Sequence, residues 1–300
     1  EQWSNEFEYK INEFKNFEIE KTIFINLPQM ANNALSENWL FKELGGCHWE
    51  LLSKGLGKIS RDIKDISGNR LYGTFVRIRI QCSPLIHYRE NDIFNIKGKI
   101  YRYGRNNFLC NLDCESNGKI INAELMTTFS RKSGTDNHNL EPGVPNKENM
   151  IIEELSQRPE LLTGHRSMVK GLQNTYSFNN EEISLNKNNI FNVDYNINPY
   201  QDINGVGLLY FASYPTISDY CELEYFNSIN EVKEWSNEYH TVFRDIYYYA
   251  NCNINDKIIF IINNFEFVNN KKVKIYSSLI RKNDNTQMAD IFTIKEKMTE

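Results

Sequence analysis

From Arg70 to Arg131 the chain reads as four strand-like runs separated only by short connections, and this constrains the fold more than any other feature. In the first run, Arg70 to Ile80, side chains alternate with the two-residue period of a strand. That period points Tyr72, Thr74, Val76, Ile78 and Ile80 one way, toward a core, and Phe75, Arg77 and Arg79 the other. The runs Asp92 to Tyr103, Phe108 to Glu115 and Lys119 to Arg131 follow, divided at Gly104-Arg105-Asn106-Asn107 and Ser116-Asn117-Gly118, which suit tight turns. Strands joined so closely form an antiparallel meander. Ahead of them, Ser36 to Leu44 reads as a helix closed by Gly45-Gly46, with Ser36 or Asn33 at its start.

Lys132 to Lys147 is rich in Gly, Pro, Asn and Asp without apolar periodicity, so it reads as a linker and places a domain boundary near residue 150. Beyond a polar, partly helical stretch from Glu148 to Leu172, Gly205 to Tyr214 and onward to Phe226 reads as a helix, interrupted or kinked at Pro215. A further helical piece surrounds Trp235. Strand runs follow at Thr241 to Ala250, Lys257 to Phe267, Lys272 to Arg281 and Ala289 to Lys295. Both halves, 1–150 and 151–300, thus read as helix then meander. At an offset of about 171 residues, Asn33 to Trp39 aligns with Asn204 to Tyr210, each an Asn followed six residues later by an aromatic ring. A curved antiparallel sheet around a central helix, present twice, is an α+β double hot-dog arrangement.

Composition removes several alternatives. The 300 residues are 40% hydrophobic and 13% aromatic, enough apolar surface to offset ordering entropy. No run approaches the 18 or so apolar residues of a membrane span; Ile258 to Ile262 ends at Asn263-Asn264. A net charge of −5 and the lack of a basic stripe argue against nucleic acid. Cysteines 47, 82, 110, 114, 221 and 252 form no CxxC pair and no Cys/His spacing suited to zinc, so no metal is expected, and free thiols in a reducing cytoplasm are. Residues 1–21 are charged and lack the apolar core of a signal peptide. A first residue other than Met suggests trimming or excision from a larger synthase.

Asp202 to Pro215 looks like the helix-opening segment of hot-dog thioesterases, in which an Asp stands just before the helix. Here Asn204 fills that place, so the carboxylate that would act as base or nucleophile is missing. Leu27-Pro28-Gln29-Met30, Leu35 to Leu40, Lys42-Glu43-Leu44-Gly45, His48-Trp49, Gly68 to Tyr72 and Asp202 to Gly205 together resemble the double hot-dog acyltransferase/decarboxylase family of polyketide biosynthesis, typified by the leinamycin-pathway enzyme. The resemblance implies transfer of methylmalonyl from CoA to a tyrosine, decarboxylation, and delivery of propionyl to an acyl carrier protein. It implies no cofactor beyond the CoA and phosphopantetheine thioesters themselves, and self-association or membership of a larger synthase.

Tyr72 matches the family's acyl-accepting tyrosine. A phenol ionises near pH ~10, so it needs nearby positive charge, which Arg70 can supply. Asn33 and Asn204, read as helix starts, are positioned to donate to a thioester carbonyl as enolate charge develops; each is equally readable as a plain cap. His48, after Gly45-Gly46-Cys47, reads chiefly as a histidine at a helix C-terminus and secondarily as a group orienting a reactant. His138, in the linker, reads as solvated. No P-loop, dinucleotide-binding, G-x-S-x-G or H-E-x-x-H pattern occurs. A dehydratase or thioesterase, and a non-catalytic acyl-binding module, are the alternatives; the dehydratase histidine motif is absent.

Overall fold

The structure is a computed structural model that describes residues 18–148, 150–229 and 234–298. Most of the reading of the opening segment therefore lies outside the described residues. The strands are β1 (Glu18–Phe24), β2 (Met30–Ala31), β3 (Ala34–Leu35), β4 (Tyr72–Cys82), β5 (Ile93–Tyr103), β6 (Asn107–Ser116), β7 (Lys119–Lys132), β8 (Leu140–Pro142) and β9 (Glu153–Glu154) in the first half. In the second they are β10 (Thr175–Phe178), β11 (Glu181–Ser184), β12 (Phe191–Asn196), β13 (Tyr239–Tyr248), β14 (Lys257–Val268), β15 (Lys272–Arg281) and β16 (Thr286–Lys297). The main sheet runs β1-β5-β6-β7-β4-β13-β16-β15-β14-β12, with β8 on β7 and β9 on β5. Its middle is the antiparallel pairing of β4 with β13, from Gln81 opposite Phe243 to Arg77 opposite Tyr247. Two half-sheets thus become one.

Helix α1 (Glu37–Leu56) fills the first half-sheet. Ser36, not Asn33, is its N-cap, accepting from the Trp39 N–H at 3.2 Å. Asn33 instead takes the left-handed conformation, φ 59°, in the turn between β2 and β3. The helix also does not stop at Gly45-Gly46. A Cβ at Gly45 would lie 2.2 Å from Phe211 Cζ, so that glycine admits a neighbouring ring, and the helix runs on to a left-handed cap at Gly57. His48 is consequently mid-helix, not at a C-terminus.

The 132–147 stretch is not a bare linker. It contains β8, and Asn137 is buried. In the following polar stretch only α2 (Glu160–Val169) is helical, and it lies over the outer face with the β10–β11 hairpin. A short α3 (Pro199–Asp202) precedes the loop 203–212, which was expected to be helical. The second central helix, α4, spans Ser213–Phe226. Pro215 falls in its first turn, where a missing N–H costs no hydrogen bond, so there is no interruption. An offset of 171 sets Gly207, not the true N-cap Ala212, opposite Ser36; the two helices recur but the motif alignment does not. A four-residue α5 (Trp235–Glu238) leads into β13. Both central helices share one continuous core with the concave side of the sheet. The fold is a double hot-dog.

Candidate active site

Strand β4 carries a bulge at Val76: Phe75 pairs with Thr127, but Arg77 pairs with Met126. The extra residue inverts the side-chain phase, because parity in a strand counts residues. Beyond it Ile78 and Ile80 face the helices; before it Gly73 and Phe75 do. A Cβ at Gly73 would stand 2.7 Å from Trp49 of α1, and the Phe75 ring lies 5.2 Å from that of His48. Tyr72 and Thr74 therefore face outward, opposite Ser130 and Thr128. The expectation that Tyr72 points at the helix with Ile78 is corrected by that one residue.

Past Tyr247 and Arg77 the two central strands part, and a cavity of about 280 Å³ opens between them. Trp49, Gly73, Thr74 and Phe75 form one side, Tyr248 to Asn251 the other, and the loop from Asn204 to Phe211 closes it. Thr74 and Ser130 line it; Tyr72, their neighbour on the same face, is outside its wall. The Arg70 guanidinium lies 4.8 Å from the centre of the Tyr72 ring. Tyr72, Arg70, Arg131, Lys132 and Glu141 line an adjoining groove of net positive charge. Lys132 also donates to the Val206 carbonyl, tying that groove to the Asn204 loop.

Asn204 is not a helix cap. Its Oδ1 accepts from the N–H groups of Val206 and Leu208, both at 3.0 Å, in the manner of an Asx turn. With the oxygen engaged, what it offers the cavity is the amide NH2. Nearby Asp202 is buried and spends Oδ2 on the Tyr195 hydroxyl and the Asn198 N–H. Among the described residues, the cavity wall carries no Asp, Glu or Cys side chain.

The structure does not bring His48 or Asn33 to this cavity. His48 is fully buried, its Nε2 2.8 Å from Thr127 Oγ1, and burial pushes its pKa down to about 3. Asn33 is exposed. The start of α1 adjoins a second cavity of about 690 Å³, which α4 also lines through Thr216, Asp219 and Tyr220. Its buried charges serve one another: Arg244 pairs with Glu37 and Asp219, and Lys295 with Asp219 and Glu222.

Sequence reading missed His138. It lines the first cavity, is half-buried, and places Nε2 2.6 Å from Asp256 Oδ2. Nothing in its neighbourhood of Gly, Asn and Asp signals a partner 118 residues away.

No family model matches the sequence, and no curated protein matches it. Solved structures do. A provisionally named oleoyl thioesterase from Lactobacillus plantarum superposes with a TM-score of 0.67 at 10% identity, over 94% of this chain and 97% of that one. The 12:0-ACP thioesterase from Umbellularia californica gives 0.64 at 8% identity, over 96% of both chains. An acyl-ACP thioesterase from Bacteroides thetaiotaomicron gives 0.58 at 12%, over 93% of this chain and 98% of that one. At such identities the likeness is one of fold.

Proposed function

We propose that the chain is an enzyme of acyl thioesters, an acyltransferase/decarboxylase that takes a malonyl-type group, methylmalonyl by the family resemblance, from CoA. In this reading Tyr72 accepts the acyl group, CO2 is lost, and the shortened acyl passes to the thiol of an acyl carrier protein. The observation that carries it is a phenol beside a guanidinium, in a basic groove next to a cavity whose wall, among the described residues, holds no carboxylate or thiol. Arg70 and Lys132 place positive charge in the groove that Tyr72 lines. Loss of CO2 leaves an enolate, and the Asn204 NH2 is a neutral donor suited to the oxygen on which that charge accumulates. The structural neighbours named for acyl-ACP substrates fit a fold able to house such thioesters. The reactive site would belong to the N-terminal unit, 1–150, with the C-terminal unit, 151–300, supplying the loop that closes it.

Incubation with malonyl-CoA and methylmalonyl-CoA, read by intact mass, should give an acyl adduct in the wild type and none in Tyr72→Phe. Retention of adduct and transfer by Tyr72→Phe would remove the nucleophile assignment. Hydrolysis of the same thioesters is a second reading, favoured by His138 on the cavity wall, with Asp256 bonded to it from outside the wall.

A further inference from the structure

The loop between β7 and β8 crosses from the first half to the second and is fastened there by a closed set of bonds. The Asn137 N–H donates to Asn253 Oδ1 at 2.9 Å, and its side-chain amide donates to the carbonyls of Gly207 and Cys252. Asn253 Nδ2 returns a bond to Asp136 Oδ1 at 3.0 Å. The next residue, His138, is thereby held against Asp256, whose carboxylate is buried and also accepts from Asn283 Nδ2 at 2.8 Å and the Asn253 N–H at 2.7 Å.

A carboxylate at Nε2 keeps the proton on that nitrogen, which leaves the Nδ1 lone pair of the neutral ring as acceptor. We propose that His138, oriented by Asp256, is the proton-transfer group of the cleft, acting on the thiol that exchanges with the acyl-tyrosine. This rests on the acyl-transfer reading above. As the acceptor sulfur bonds to the acyl carbon, its proton passes to His138 Nδ1. The bond between that carbon and the Tyr72 oxygen breaks, and the imidazolium returns the proton to the phenolate. Nothing is oxidised or reduced, and loading from CoA is the same step reversed. His138 is the catalytic residue of this step and Asp256 the positioning one. The other charged groups facing the ring are Asp136, with Oδ1 3.8 Å from Nδ1, and Arg281, which acts on Asp136 and Asp256 through space.

The test uses the whole chain, acylated from malonyl-CoA and then challenged with N-acetylcysteamine between pH 5.5 and 9. His138→Gln should slow transfer by roughly 10²–10⁴-fold and abolish the inflection of the rate profile on its acidic side. Asp256→Asn should slow it less and shift that inflection. An aryl thiol already ionised at neutral pH needs no base, so with it His138→Gln should approach the wild-type rate, which a merely structural role would not allow. Equal slowing with both thiols, or no slowing, overturns the proposal. If the wild type forms no adduct, the acyl-transfer reading falls, and thioester hydrolysis then decides the dyad. Loss of hydrolysis in His138→Gln supports proton transfer by His138, and unchanged or absent hydrolysis overturns it.

Discussion

At the scale of single residues, Asn204 shows how one side chain serves structure and chemistry with different atoms. Its oxygen holds the loop together through two backbone N–H groups, and its NH2 is left for the cavity. The two uses are separable by substitution. Asn204→Asp keeps an acceptor for Val206 and Leu208, so the melting temperature should stay near that of the wild type, but it replaces the donor by a negative charge. Decarboxylation in the acylated enzyme should then fall by roughly 10²–10³-fold. Asn204→Ala removes both, and should lose about 1 kcal/mol of stability in addition. Equal activity in all three proteins, measured as CO2 release, would deny the amide its role. The same residue-level view sets His48, read chiefly as structural, away from the cavity: a mid-helix ring bonded to Thr127 and packed near Phe75 lies within the core.

Between elements, the seam of β4 and β13 decides the architecture, and buried ion pairs cross it on both faces. On the outer face Arg77 Nε and Nη2 reach the two oxygens of Asp245 at 3.0 and 2.7 Å, while the Tyr176 hydroxyl donates to Oδ2 at 2.6 Å and Arg77 Nη1 to the Leu161 carbonyl at 2.8 Å. On the helix face Arg244 makes a bidentate pair with Glu37 of α1 at 2.7 and 2.9 Å. Each joins one half of the chain to the other. Asp245→Asn leaves a guanidinium buried without its counter-charge, and urea unfolding should show a loss of about 3–5 kcal/mol. The joint change Arg77→Met with Asp245→Leu should recover much of it, since no isolated charge then remains. If the single change is harmless, the pair does not hold the seam. Where this pairing stops, the strands part and the cavity begins, so the same register both joins the halves and opens the site.

For the whole molecule, burial of neutral histidines sets a lower limit on tolerated pH. Desolvation pushes His48 down to about 3 and His165 to about 4 from 6.5, and lowers His240. In the unfolded chain these rings take up protons below pH ~6.5, whereas in the fold His48 and His165 do so only near 3 to 4. The unfolded state therefore binds more protons across that window, and stability present above it is lost as pH falls through it. At pH 5 the cost is about 2 kcal/mol for each of His48 and His165. The melting temperature should drop between pH 7 and pH 5, and His48→Gln should flatten the drop; an unchanged slope in that variant would exclude His48 as a contributor. Of the fold, period and turn chemistry already determined the strands, the meanders β5 to β7 and β14 to β16, the two central helices and hence the double hot-dog class, because these are local properties of backbone and side-chain alternation. The expected four-strand meander is corrected, since β4 lies beside β7 and not β5, and β13 beside β16 and not β14. The same reading singled out Tyr72, Arg70 and Asn204; in the tertiary structure Tyr72 and Arg70 line one groove and Asn204 the neighbouring cavity. Only the tertiary structure decided which face Tyr72 occupies, where the cleft opens, and that His138 meets Asp256. A one-residue bulge, a parting of strands and a bond across 118 residues arise from packing between distant segments, for which no local pattern codes.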